Sequence, residues 1–95
     1  EPEFFPVYAK CEALDLPIFL HPVAPAAGER MSKYHLGNFL GNPYETGIAA
    51  ASLMFGGVMD AHPKLDVMLP HAGGTFPNLI GRMDTGQRCA RSVST

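Results

Sequence analysis

Two of the four histidines, His21 and His71, share a setting. Each closes a short apolar run, Pro17-Ile18-Phe19-Leu20 for the first and Leu65-Asp66-Val67-Met68-Leu69-Pro70 for the second. Neutral imidazole is the commonest protein ligand for zinc, and imidazole also takes up and releases a proton near neutral pH. The same side chain can therefore serve as a metal ligand or as a general acid or base. If both runs are strands of one parallel sheet, both rings reach the carboxyl-end rim, where α/β sheets and barrels bind their ligands. The bare pattern also accommodates two histidines bonded to backbone at strand ends. A metal site takes three or four ligands, and this chain has too few other well-placed candidates. Ala72-Gly73-Gly74 follows His71 directly. Glycine there permits positive φ or close approach of backbone to a ligand, and it also suits an ordinary strand-to-helix turn.

The remaining candidates are weaker. His35 lies near Arg30 and Lys33 in a long loop, where the three could contact an anionic substrate or stand in solvent. His62 precedes Pro63 and reads as a helix-end or surface residue. Arg82 could orient an anion, with a surface arginine as the default. No Ser-His-Asp or Cys-His arrangement, phosphate loop or G-x-G-x-x-G is present. Cys11 and Cys89 are far apart and match no metal or redox spacing, so they read as free thiols in a reducing compartment.

The elements that must position these residues can be read from periodicity. Phe4, Val7, Tyr8, Cys11 and Leu14 recur at three- and four-residue steps and predict a helix over 4–14, with Pro6 tolerated in its first turn. Asp15-Leu16-Pro17 ends it. Residues 17–21 read as a buried strand, apolar on consecutive positions as when both faces are covered. From Pro22 to Asn42 no element is predicted. Asn42-Pro43-Tyr44-Glu45 then reads as an N-cap with an N-x-x-E capping pattern, starting a largely buried helix that His62-Pro63 closes. Gly47, Gly56 and Gly57 inside that helix each cost about 1 kcal/mol against alanine and imply close approach to another backbone. Residues 65–69 form a second strand, 72–74 a turn, and a third helix runs from Thr75 or Phe76 to Cys89. Phe76, Leu79, Ile80 and Met83 lie on one face of that helix, and Arg91 to Thr95 form a frayed tail. Helices alternating with buried strands predict a parallel α/β sheet in one unit, without repeat or domain boundary.

Composition bounds the reading. Of 95 residues, 46% are hydrophobic and 17% charged, which excludes a disordered tail or a coiled coil. The net charge of −2 leaves no basic stretch to track a phosphate backbone, so nucleic acid is not an expected partner. The longest uncharged apolar run, Ile48 to Met59, falls short of the roughly 18 residues a bilayer requires, so no membrane partner is expected. Glu1-Pro2-Glu3 opens no signal peptide, which points to a cytoplasmic protein. The absence of an initial methionine suggests a fragment or a processed end.

Phe19-Leu20-His21-Pro22, Asn42-Pro43-Tyr44-Glu45-Thr46, Phe55-Gly56-Gly57-Val58, Pro63-Lys64-Leu65-Asp66-Val67 and His71-Ala72-Gly73-Gly74 with Gly81-Arg82 occur in this order. Together they resemble the amidohydrolase-related family, in the branch typified by 2-amino-3-carboxymuconate-6-semialdehyde decarboxylase and related to enzymes acting on hydroxybenzoates. The resemblance implies a (β/α)8 TIM barrel with a divalent metal, zinc or manganese, at the carboxyl-end rim. It implies that His21 ligates the metal and that His71 is the catalytic acid/base beside it. The substrate would be a small carboxylate. The family's other ligands, an H-x-H or E-x-H pair on the first strand and an aspartate on the last, are not in this sequence. A barrel is typically about 250 residues, so residues 1–95 would be an internal segment of two parallel strands and three helices, inactive alone. It would need the remaining barrel segments or associate with itself. A hydrolase or hydratase of the same superfamily, a non-catalytic assembly remnant, and a small doubly wound binding domain are the alternatives.

Overall fold

The computed structural model describes residues 2–23 and 28–94. Helix α1, Phe5–Ala13, follows a single 3-10 turn over Pro2–Phe4 and carries Pro6 in its first turn, as predicted. Its end is a Schellman closure. Asp15 adopts φ 54°, its N–H reaches the Glu12 carbonyl at 3.1 Å, and the Leu16 N–H reaches the Cys11 carbonyl at 2.9 Å. Aspartate takes the place glycine usually holds because its short polar side chain tolerates the left-handed region.

Strand β1, Ile18–Phe19, pairs in parallel with β2, Val67–Met68, in the register Ile18↔Val67 and Phe19↔Met68. Both are shorter than the predicted 17–21 and 65–69, although the Ile18 N–H bonds the Asp66 carbonyl and the Leu20 N–H bonds the Met68 carbonyl. The sheet has two strands among the described residues.

The loop predicted over 22–42 is partly structured. Pro25 lies outside the described residues, but Gly37–Gly41 form a π-helical turn that runs straight into helix α2, Asn42–Phe55. Asn42 is therefore not an N-cap. It is helical at φ −66°, its N–H bonds the Gly37 carbonyl, and no side chain caps the start of α2. Pro43 accounts for the wide turn. Its ring would strike the carbonyl four residues back in a regular helix, and one extra residue per turn relieves the clash.

The predicted single helix to His62 is two. Gly57 takes φ 79°, its N–H bonds the Met54 carbonyl at 3.2 Å, and a short α3, Val58–Ala61, follows. The glycine serves the break: nothing lies within 4 Å of the position a Cβ would occupy there. Gly47 does mark a close approach, to the Thr75 side chain at the start of α4. Helix α4, Phe76–Ser94, runs past the predicted end at Cys89 through most of the expected frayed tail; Thr95 lies outside the described residues. No described helix is long and apolar enough to cross a membrane.

Alternation sorts the strand side chains. Val67 and Leu69 line a cavity with Ala50, Leu53 and Phe76, and Leu20 lines one with Tyr8 and Val58, so these point toward the helices. Phe19 and Met68 point the other way and are 67% and 55% exposed. The expectation that both strand faces are covered therefore holds for one face only, because all the described helices that pack on the pair lie on the same side. Among the described residues the buried apolar core is Ala50, Val58 and Leu65. At the amino end of the sheet, the Lys64 N–H bonds Glu12 Oε2 at 2.8 Å and His62 Nδ1 lies 3.4 Å from Glu12 Oε1, tying α1 to the turn before β2.

Unpaired strand edges and a contiguous apolar face drive association. The 95-residue chain purified alone is expected to form oligomers or aggregates rather than a monomer. Sedimentation velocity across a concentration series measures this; a monomer with a cooperative unfolding transition would contradict it.

Candidate active site

Parallel pairing puts the ends of β1 and β2 side by side, and the chain leaving each carries one imidazole. The His21 and His71 ring centroids are 6.0 Å apart, tilted by 59°. Both rings are exposed, so one small ligand can touch both. A cavity of about 150 Å³ lies beside His21, lined also by Pro22, Glu45 and Thr46.

Each ring is held through Nδ1. For His21, Nδ1–H donates to the Pro22 carbonyl oxygen at 2.8 Å. A carbonyl only accepts, so the neutral ring keeps its lone pair at Nε2. For His71, Nδ1 lies 2.9 Å from Thr46 Oγ1, one turn into α2. Thr46 is the largest fully buried side chain, 1% exposed.

The turn carrying His71 is strained. His71 has φ 56° and Ala72 φ 52°, both in the left-handed region, followed by Gly73 at 88° and Gly74 at 59°. Non-glycine residues there cost about 1–3 kcal/mol each and persist where surrounding contacts over-determine them. Those contacts are present: the Gly73 N–H bonds the Pro70 carbonyl at 3.1 Å, the Gly74 N–H bonds the His71 carbonyl at 2.8 Å, and the Thr75 N–H bonds the Pro43 carbonyl at 3.3 Å. A Cβ on Gly74 would run into the Pro43 carbonyl, so glycine is what lets this turn lie on the start of α2.

The other sequence candidates lie elsewhere. His35 stacks edge-on against Phe39 at 5.1 Å, and Arg30 and Lys33 are exposed in the same connection. His62 serves the Glu12 link at the opposite end of the sheet. Arg82 is exposed on α4. Thr46 stands in the sequence inside the Asn42-Pro43-Tyr44-Glu45-Thr46 motif with no role of its own; its signal is a polar residue one turn into a helix otherwise apolar on its buried side.

Among the described residues no group of three or more His, Cys, Asp or Glu could hold a metal ion. His21 nonetheless has the donor chemistry of a ligand, with its far nitrogen pinned to a carbonyl as metal-bound histidines usually are. The residues present fit part of a ligand set without completing one.

A parallel strand pair with helices on one face and imidazoles at its carboxyl rim is what a segment of a (β/α)8 barrel presents, at the rim where such barrels bind their ligands. A family model described as Amidohydrolase matches residues 1–94, and the chain belongs to that family. The 2-amino-3-carboxymuconate-6-semialdehyde decarboxylase of Dictyostelium discoideum is 41% identical over 86 residues, 90% of this chain and 24% of that protein. The gamma-resorcylate decarboxylase of Rhizobium radiobacter is 36% identical over 87% of this chain and 27% of its own length. Among solved structures, apo IDCase of Metarhizium anisopliae superposes with a TM-score of 0.83 at 35% identity, over 90% of this chain and 24% of that one. The 5-carboxyvanillate decarboxylase of Sphingomonas paucimobilis gives 0.83 at 28% identity, over 97% and 28%. The chain thus spans about a quarter of the length of the relatives it matches.

Two glycine substitutions separate strain from propensity. Gly74→Ala is expected to destabilise the protein by about 1–3 kcal/mol, because the residue sits at φ 59° against the Pro43 carbonyl. Gly81→Ala, in α4 with nothing within 4 Å, should stabilise by about 0.5–1 kcal/mol. Chemical denaturation of both variants beside the native protein measures the two shifts; equal shifts would contradict the account.

Proposed function

We infer that this chain is an internal segment of a metal-dependent decarboxylase that removes CO2 from a small carboxylated substrate of the semialdehyde or hydroxybenzoate type. The observation carrying the reading is the His21–His71 pair at 6.0 Å on the shared rim of two parallel strands. Similarity to several decarboxylases over most of the chain supports the reaction class.

His21 would be one ligand of the metal, zinc or manganese, through Nε2, with its remaining ligands supplied from outside these 95 residues. When bound, such a metal polarises substrate oxygens or activates a water. His71 moves the proton. Protonated at Nε2, it can deliver a proton to the carbon that loses CO2; neutral, it can take one from a water molecule. Its fixed Nδ1 contact keeps the ring in one orientation during either transfer. The exposed Phe19 and Met68 face is where the remaining barrel would pack, which supports reading the chain as inactive by itself.

In the full-length protein, His21→Ala is expected to lose most bound metal after dialysis, since one ligand of a small set is gone. His71→Ala should retain most of the metal while turnover falls by roughly 10²- to 10⁴-fold. Metal content by mass spectrometry, read alongside CO2 release, tests both. Equal metal loss in the two variants would identify His71 as a ligand instead of the proton carrier.

A further inference from the structure

The contacts of one buried hydroxyl fix more than the position of His71. Thr46 Oγ1 lies 3.0 Å from the Asn42 carbonyl oxygen and 2.9 Å from His71 Nδ1. A hydroxyl has a single proton to give, and a carbonyl oxygen can only accept. If the hydroxyl proton goes to Asn42, the contact with His71 requires Nδ1 to be the donor, and both contacts are hydrogen bonds. If it goes to His71 instead, two oxygens face each other at 3.0 Å with no proton between them, at a side chain only 1% exposed, which is costly. The first arrangement satisfies every group, and among the described residues no buried side-chain polar atom lacks a partner.

We propose that Thr46 is a positioning residue that holds neutral His71 in the Nδ1–H tautomer, so that Nε2 presents the lone pair to the site. Thr46 does for His71 what the Pro22 carbonyl does for His21, and both imidazoles present Nε2 as the reactive nitrogen. The chain Nδ1–H to Thr46 to the Asn42 carbonyl stays intact whether Nε2 is protonated or bare. His71 can thus accept and return a proton through one nitrogen without turning its ring. The helix carbonyl supplies a fixed acceptor at the end of this relay, because it belongs to the first turn of α2 on which the His71 turn lies. The consequence for catalysis rests on the proton-carrying role proposed above for His71; the tautomer itself does not.

The test is a direct reading of the ring. The full-length protein is labelled with ¹⁵N-histidine and loaded with zinc, which does not broaden the signals. Long-range ¹H–¹⁵N correlations are recorded at a pH where the ring is neutral, with His71→Gln assigning the resonance. The native protein and Thr46→Ser, which keeps the hydroxyl, are expected to show Nδ1–H. Thr46→Val, which keeps the shape and loses the hydroxyl, is expected to shift toward the Nε2–H form favoured by free histidine. In the same samples Thr46→Val should lower kcat at least 10-fold with little change in KM, and Thr46→Ser should restore most of it. An Nε2–H ring in the native protein would overturn the proposal, as would an Nδ1–H ring unchanged in Thr46→Val. If the tautomer pattern holds and no sample releases CO2, Thr46 retains its role and the decarboxylase reading falls.

Discussion

The parallel pairing of Ile18–Phe19 with Val67–Met68 is the constraint on which the rest of the arrangement depends. Pairing in parallel makes both strands leave the sheet at the same end, so His21 and His71, distant in sequence, emerge side by side. Antiparallel pairing of the same residues would put them at opposite ends. The pairing is short, and other contacts hold it from both ends. Glu12 binds α1 to the turn before β2, and the Thr75 N–H binds the turn after β2 to Pro43 at the start of α2. A few hydrogen bonds at each end thus do what longer strands would do in a closed sheet.

The strained turn after β2 fixes how His71 is presented at that rim. Two successive non-glycine residues in the left-handed region are unfavourable alone. They hold here because Gly74 can lie against the Pro43 carbonyl and because Thr46 receives the His71 ring. Backbone strain, a glycine contact and a buried hydroxyl therefore converge on one imidazole. His21 has a simpler anchor, its own neighbour's carbonyl.

Much of this was legible in the residues, and the failures have physical causes. The two apolar runs ending in histidine marked the strands and their order, and the resemblance across five short motifs marked the family. The apolar runs are longer than the paired strands because apolar residues report burial potential rather than ladder hydrogen bonding. The helix break at Gly57 is not legible in the residues because the apolar period of Tyr44, Ile48, Ala51 and Phe55 continues to Val58 across it. Gly37 and Gly41 read as loop punctuation, yet the bulk of Pro43 made a widened helical turn the better solution. Asn42 matched a capping pattern that this turn renders unnecessary, and Thr46 was hidden inside the same motif. Phe19 and Met68 form an apolar face that the described helices leave uncovered, contrary to what their consecutive apolar runs suggest.

The central claim is that the two imidazoles serve a metal-assisted loss of CO2. It is tested most directly by following CO2 release from carboxymuconate semialdehyde and hydroxybenzoate substrates in the full-length protein, before and after chelation. The account predicts CO2 in stoichiometric amounts with substrate consumed, abolished by the chelator and restored by zinc or manganese. Product formed by addition of water without CO2, or turnover unaffected by chelation, would contradict it.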